Sequence, residues 1–163
     1  MATPTYDLLA STTLTTSASS VTFSSISATG KGDLVVTINS LADSGTTNFA
    51  IRFNGTTTPY SSVIAYSDGS SAASYASSSS IDLMAFGGAT TMPAIVTATV
   101  LDYSATDKHK SVLARGDRAD KQASMTAGRW ASTAAVTSVT IHNTTTNNYA
   151  VGSIFNLYQL VSE

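Results

Sequence analysis

The stretch AIVTATVLDY, residues 94–103, decides the fold. In an extended chain its side chains alternate, with Ile95, Thr97, Thr99 and Leu101 on one face and Val96, Ala98 and Val100 on the other. β-branched residues dominate it, and both faces are apolar enough to predict a central strand. The segment LVVTINSL, residues 34–41, repeats the pattern: Leu34, Val36 and Ile38 oppose Val35 and Thr37.

Working outward, similar short runs recur between clusters of Gly, Asn, Asp and Ser. They predict strands at 6–10, 21–26, 34–41, 49–53, 62–66, 94–103, 111–115, 123–127, 136–142 and 152–160. No window sustains an apolar stripe at helical spacing over three turns. The segment IDLMAFG, residues 81–87, reads as a single helical turn or as a further strand. SSAASYASSSS, residues 70–80, is low in complexity and reads as a long surface loop. Asn54-Gly55 is a hairpin dipeptide. TTTNN, residues 144–148, forms a polar turn between the last two strands. The chain should therefore be one domain, residues 1–163, with an all-β fold: an antiparallel β-sandwich, jelly-roll-like. An immunoglobulin-like sandwich is the alternative, but it lacks support from a cysteine pair or a regular seven-strand spacing.

Charged residues are 11% of the 163 residues, under half of the roughly 25% usual for soluble proteins. Ser and Thr supply roughly a third of the chain, well above typical usage. Such a neutral, hydroxyl-rich surface offers little charge repulsion to close packing against a neighbour. The net charge of −2 gives no positive surplus for nucleic acid. Cysteine is absent, which removes disulfides and thiolate chemistry. The opening MATPTYDLLAS has neither the basic nor the apolar region of a secretory signal. No apolar run approaches a membrane span.

Catalytic sets are hard to assemble. Glu163 is the one Glu and the nine Asp are scattered, whereas glycoside hydrolysis needs two carboxylates close together. His109 and His142 are the only histidines, and no G-x-S-x-G accompanies them. Neither a metal ligand set, nor a calcium loop at YSDGSS (66–71), nor a phosphate cradle at Gly30-Lys31-Gly32 emerges. Gly87-Gly88 reads as a source of turn conformations. The expectation is a protein that is not an enzyme and uses no cofactor or metal.

Binding residues are easier to nominate. Tyr60, Tyr66, Tyr75 and Trp130 are the aromatics that a glycan site would draw on. Tyr75, in the serine-rich stretch, and Trp130 are the candidate glycan contacts, although Trp130 reads more readily as packing at the edge of the core. Asn54-Gly55-Thr56 and Asn143-Thr144-Thr145 match glycosylation sequons, and they read as accidental in a chain without a secretion signal.

The second set lies in VLARGDRADKQ, residues 112–122. Between residues 102 and 129 stand six of the eight basic residues, interleaved with Asp102, Asp107, Asp117 and Asp120. Signs alternate, so this is not a phosphate-binding patch. Arg115, Asp117, Arg118, Asp120 and Lys121 are read as a strand end and loop, with Gly116 turning the chain. Their charges would pair within the subunit or across an interface, or else stand in a solvated loop. Arg118→Asp is then expected to loosen assembly more than it destabilises the fold. Arg115-Gly116-Asp117 is also the integrin-binding tripeptide of adhesion proteins, but nothing else marks an extracellular animal protein.

The order DLVVTINSL, FAIRFNGTTTPYS, GRWASTAAVTSVTI and the ending YAVGSIFNLYQL, covering about residues 6–160, resembles virion structural proteins of tailed bacteriophages, notably those of cyanobacteria and aquatic hosts. In that family an R-F-N-G-D-T-like segment and a G-S-x-F-x-L-Y-G-like ending are common. Thr56 and Thr57 replace the Asp-Thr, and Gln159 stands where Gly is common. The resemblance implies a β-sandwich subunit of the virion, made in the host cytoplasm and released by lysis. It implies a capsid cement or decoration protein whose partners are the major capsid protein or other virion proteins, with the alternative of a neck or tail-fibre module that recognises host surface glycan. Homo-oligomers are implied too. In tumour-necrosis-factor-like relatives of the fold, a last strand like residues 152–160 lies near a trimer axis. Neither nucleic acid nor a membrane is expected as partner.

Overall fold

The computed structural model describes residues 5–29 and 32–160. Among these residues, twelve strands form two antiparallel sheets: β1 (Tyr6–Thr13), β2 (Ser20–Phe23), β3 (Leu34–Ser40), β4 (Phe49–Phe53), β5 (Tyr60–Ser67), β6 (Ala72–Ser77), β7 (Ile81–Met84), β8 (Ala94–Leu101), β9 (Lys110–Arg118), β10 (Gln122–Trp130), β11 (Val139–His142) and β12 (Ile154–Leu160). One sheet has eight strands in the order β1-β12-β3-β8-β9-β10-β5-β6. The other has four, β2-β11-β4-β7.

From β1 to β4 the chain changes sheet at every step, and it does so again at β7, β8, β11 and β12. Those eight strands are the two four-stranded layers of a jelly roll. The hairpins β5–β6 and β9–β10 are insertions, and both widen the same sheet. Every strand pairing is antiparallel.

β8 is an interior strand, paired with β3 and β9. Val96, Ala98 and Val100 are fully buried between the sheets, while Thr97 and Thr99 on the opposite face are half-buried and Ile95 is exposed. β12 pairs with β1 and β3 and sends Phe155 and Leu157 into the core. Aromatic rings fill the middle: Phe53 lies against Trp130 with centroids 5.6 Å apart, and Phe49 stacks on Tyr149 at 5.2 Å. Fully burying a side chain of this kind contributes about 1.5–3 kcal/mol.

Four sequence expectations need correction. The serine-rich segment at residues 70–80 is mostly strand: β6 pairs along β5 as the sheet edge. Ser and Ala suit an edge with little on either side to pack, so the composition hid the extended backbone. Asn54-Gly55 does adopt positive φ at both residues, 52° and 67°, but it joins β4 to β5 across the two sheets and closes no hairpin. Gly116 does not turn the chain. It lies mid-strand in β9, where an added Cβ would stand 2.9 Å from the Met84 sulfur. Gly87 and Gly88 are needed for size, since a Cβ on Gly87 would meet the Phe49 ring and one on Gly88 the Ser40 carbonyl oxygen. The segment 81–87 resolves into β7 followed by a bend.

Candidate functional site

The charged stretch lies on the β9–β10 hairpin, and strand alternation splits it. β9 runs through Arg118, so Arg115 and Asp117 point away from the sandwich while Arg118 points in. Arg118 is 4% exposed. Its Nε donates to Asp120 Oδ1 at 2.7 Å, and its Nη1 donates to the carbonyls of Gly87 at 2.9 Å and Phe86 at 3.4 Å. The guanidinium thus ties the hairpin tip to the segment after β7. Lys121 ends the turn, with its backbone N–H donating to the Arg118 carbonyl and its side chain exposed. Five residues adjacent in sequence therefore belong to an outer face, an internal clamp and a turn.

Large apolar side chains are exposed at intervals across the outer face of the eight-stranded sheet. Leu113 is 56% exposed and Met125 71%. Tyr6, Leu8, Val63 and Ile95 are exposed on the same side. A groove of about 340 Å³ runs between Tyr6, Val35, Thr97, Thr99, Leu113, Arg115 and Met125. Arg115 and Asp117, two positions apart on β9, share this face with Arg129. A wide, shallow trough lies beside them along Val63, Ala76, Ala127 and Arg129.

The aromatic candidates separate. Trp130 is 2% exposed and packed against Phe53 and Tyr60, so it offers no surface to a glycan. Tyr60 is also buried, and its hydroxyl accepts the Phe53 N–H at 2.7 Å. Tyr75 lies on the edge strand β6 with its ring edge-on to Tyr66, and Tyr66 in turn packs on Phe86. Its hydroxyl bonds to the Asp82 carboxylate; burial, then that negative neighbour, pushes the phenol well up. Burial also raises Asp82, opposed by hydrogen bonds from Ser80 and Tyr75. Burial lowers His142, helped by the nearby Arg52 cation.

Both sequon asparagines are structural clips. Asn54 Oδ1 accepts the N–H groups of Thr137 and Ser138, and its Nδ2 donates to the Ala135 carbonyl at 2.8 Å. Asn143 bonds Asn48 N–H, Thr145 and the Asn147 carbonyl in the same way. Phe86 is a functional candidate that the sequence alone does not single out. Its signal is a large aromatic at φ 51°, half exposed; such strain in a bulky residue is uncommon and gathers at working surfaces. Lys110 is another. Fully buried, it donates to the carbonyls of Ala105 at 2.6 Å and Lys108 at 3.0 Å, and desolvation lowers its ammonium.

No group of three or more His, Asp or Glu side chains gathers to hold a metal ion among the described residues. No helix of the described residues is long and apolar enough to cross a membrane. Compared with protein families, curated proteins and solved structures, the chain finds no match.

Proposed function

We propose that the chain is a non-enzymatic assembly subunit: a structural protein of a tailed-bacteriophage virion that binds the assembled head shell as a cement or decoration protein, with copies of itself as neighbours. The observation that carries this reading is the outer face of the eight-stranded sheet. Exposed apolar groups gathered on one sheet face mark association surfaces on soluble proteins. Here Leu113, Met125, Ile95, Val63, Tyr6 and Leu8 gather on one sheet face. Arg115 and Asp117 add charge complementarity to a second copy. Two such strands meeting about a two-fold axis set the Arg of each against the Asp of the other. The low charge of the rest of the surface favours the same reading. A shell protein of this kind stabilises by binding the assembled state and not the free subunits.

Two measurements test it. Purified particles should carry the chain in many copies spread over the head, and a few copies confined to the tail would refute the cement role. In solution, Met125→Glu should reduce the assembly state seen by sedimentation. The alternative of a neck or tail-fibre module recognising host surface glycan draws support from the aromatic edge at Tyr66, Tyr75 and Phe86.

A further inference from the structure

The inserted hairpins extend the large sheet; β7 packs over part of their inner face, and the segment that follows it lies at the β9–β10 tip, where Arg118 holds the Phe86 and Gly87 carbonyls. A cleft of about 200 Å³ remains there, lined by Thr46, Tyr66, Asp68, Phe86, Lys121 and Gln122. Tyr66 and Phe86 form one wall, with ring centroids 5.8 Å apart. Phe86 is held in its positive-φ conformation by its N–H donating to Asn48 Oδ1 at 2.7 Å, and the Arg118 clamp grips the carbonyls of Phe86 and Gly87. The ring is thus fixed in place while half exposed, an arrangement that packing alone does not require.

The floor carries the second observation. Gln122 is 6% exposed, and its Nε2 is buried without a hydrogen-bond acceptor. Buried amides nearly always have partners. The last torsion of a carboxamide is broad, so this group can turn its donor, its acceptor or both to a molecule seated over it. Asp68 stands beside it. Its Oδ1 takes bonds from the N–H and hydroxyl groups of Ser70 and Ser71, which fixes the carboxylate and leaves Oδ2 to accept.

We infer that this cleft is a binding site for a neutral saccharide ring. The lining has no net charge: Arg118 is neutralised by Asp120 at 2.7 Å, and Lys121 balances Asp68. An anion would meet Asp68 and a cation Lys121. A sugar ring has one apolar C–H face for the Tyr66–Phe86 wall, whose π-faces are negative, and a rim of hydroxyls that both donate and accept. Gln122, Asp68, Lys121 and Thr46 match that rim. The volume is below the roughly 300–1,000 Å³ of drug-sized pockets, which suits a single ring. The inference names the site that the glycan-recognition alternative needs, and it does not rest on the outer-face assembly reading.

The experiment is an NMR titration of the isotope-labelled full chain with methyl glycosides of neutral hexoses and N-acetylhexosamines, with methyl glucuronide and inorganic phosphate as charged probes. At least one neutral glycoside should shift the Gln122 side-chain amide pair and the Phe86 backbone signal. Phe86→Ala, which removes an exposed ring, should weaken that binding about five- to tenfold, and Gln122→Leu should abolish the shift pattern. Met125→Glu, on the opposite face, should leave the affinity unchanged even where it alters assembly. The inference is overturned if no neutral glycoside moves Gln122, if only the charged probes do, or if binding survives both cleft variants.

Discussion

At the residue scale, two glycines and one histidine make sharp tests. Gly128 faces Ile81 and Gly116 faces Met84, each too close for an added methyl group. Overpacking costs about 1–3 kcal/mol. Ile is stiff at its first torsion whereas Met is adaptable. Gly128→Ala should therefore lower the thermal midpoint more than Gly116→Ala, and equal losses would refute this packing argument. His142 tests the sign of a pH effect. Its folded pKa is lowered from 6.5 by burial and by Arg52. The unfolded chain then holds the proton that the folded chain refuses, so stability is fully present above pH 6.5 and is lost as pH falls below it. The loss is no steeper than ~1.4 kcal/mol per pH unit for one proton. His142→Gln should lose less stability than the parent between pH 7 and pH 5, measured by urea unfolding. Parallel losses would show that the imidazole is not responsible. Asp82, raised from 3.8 by burial, acts with the opposite sign, because the folded chain holds its proton more tightly than the unfolded chain.

At the scale of elements, the β9–β10 hairpin reverses one expectation of the sequence. Arg118 is not a surface charge, so Arg118→Asp should unfold the protein before it affects any contact between copies. Even Arg118→Ala should cost about 1–3 kcal/mol by leaving the Gly87 and Phe86 carbonyls without their donor. Arg115→Ala, on the outer face, should stay within about 0.5 kcal/mol. Comparing the two melting curves decides the matter, and a larger loss for Arg115 would contradict the inward clamp. Alternation in β3 and β8 was legible because Val, Ile and Leu mark the buried side. The same rule placed Phe155 and Leu157 of β12 together. In β6 it failed because Ala and Ser carry no such contrast. The inward turn of Arg118 was hidden for a related reason. A strand predicted to end at residue 115 leaves the following charges in a loop, and only the extension of β9 to Arg118 restores the period of two. Phe86 was unreadable because its surroundings come from β5, β9 and β10, distant in sequence.

For the whole molecule, the jelly roll was predictable from strand count and the absence of helix. The widening of one sheet to eight strands was not, since nothing local says which sheet an inserted hairpin joins. That widening creates both the outer face and the cleft. If the outer face joins copies, the unfolding midpoint of the parent should rise with protein concentration. The midpoint of Met125→Glu should be insensitive to concentration. A parent midpoint independent of concentration would count against the assembly reading.

The pairing of β1 with β12, Tyr6 opposite Leu160, also sets a timetable. At synthesis rates of ~5–20 residues per second, β1 waits roughly 8–30 s for its partner to emerge. Pairings this distant in sequence are the slow ones to form, whereas the β9–β10 hairpin can zip within microseconds. β1 therefore emerges long before the strand it pairs with, and its edge stays open through that interval.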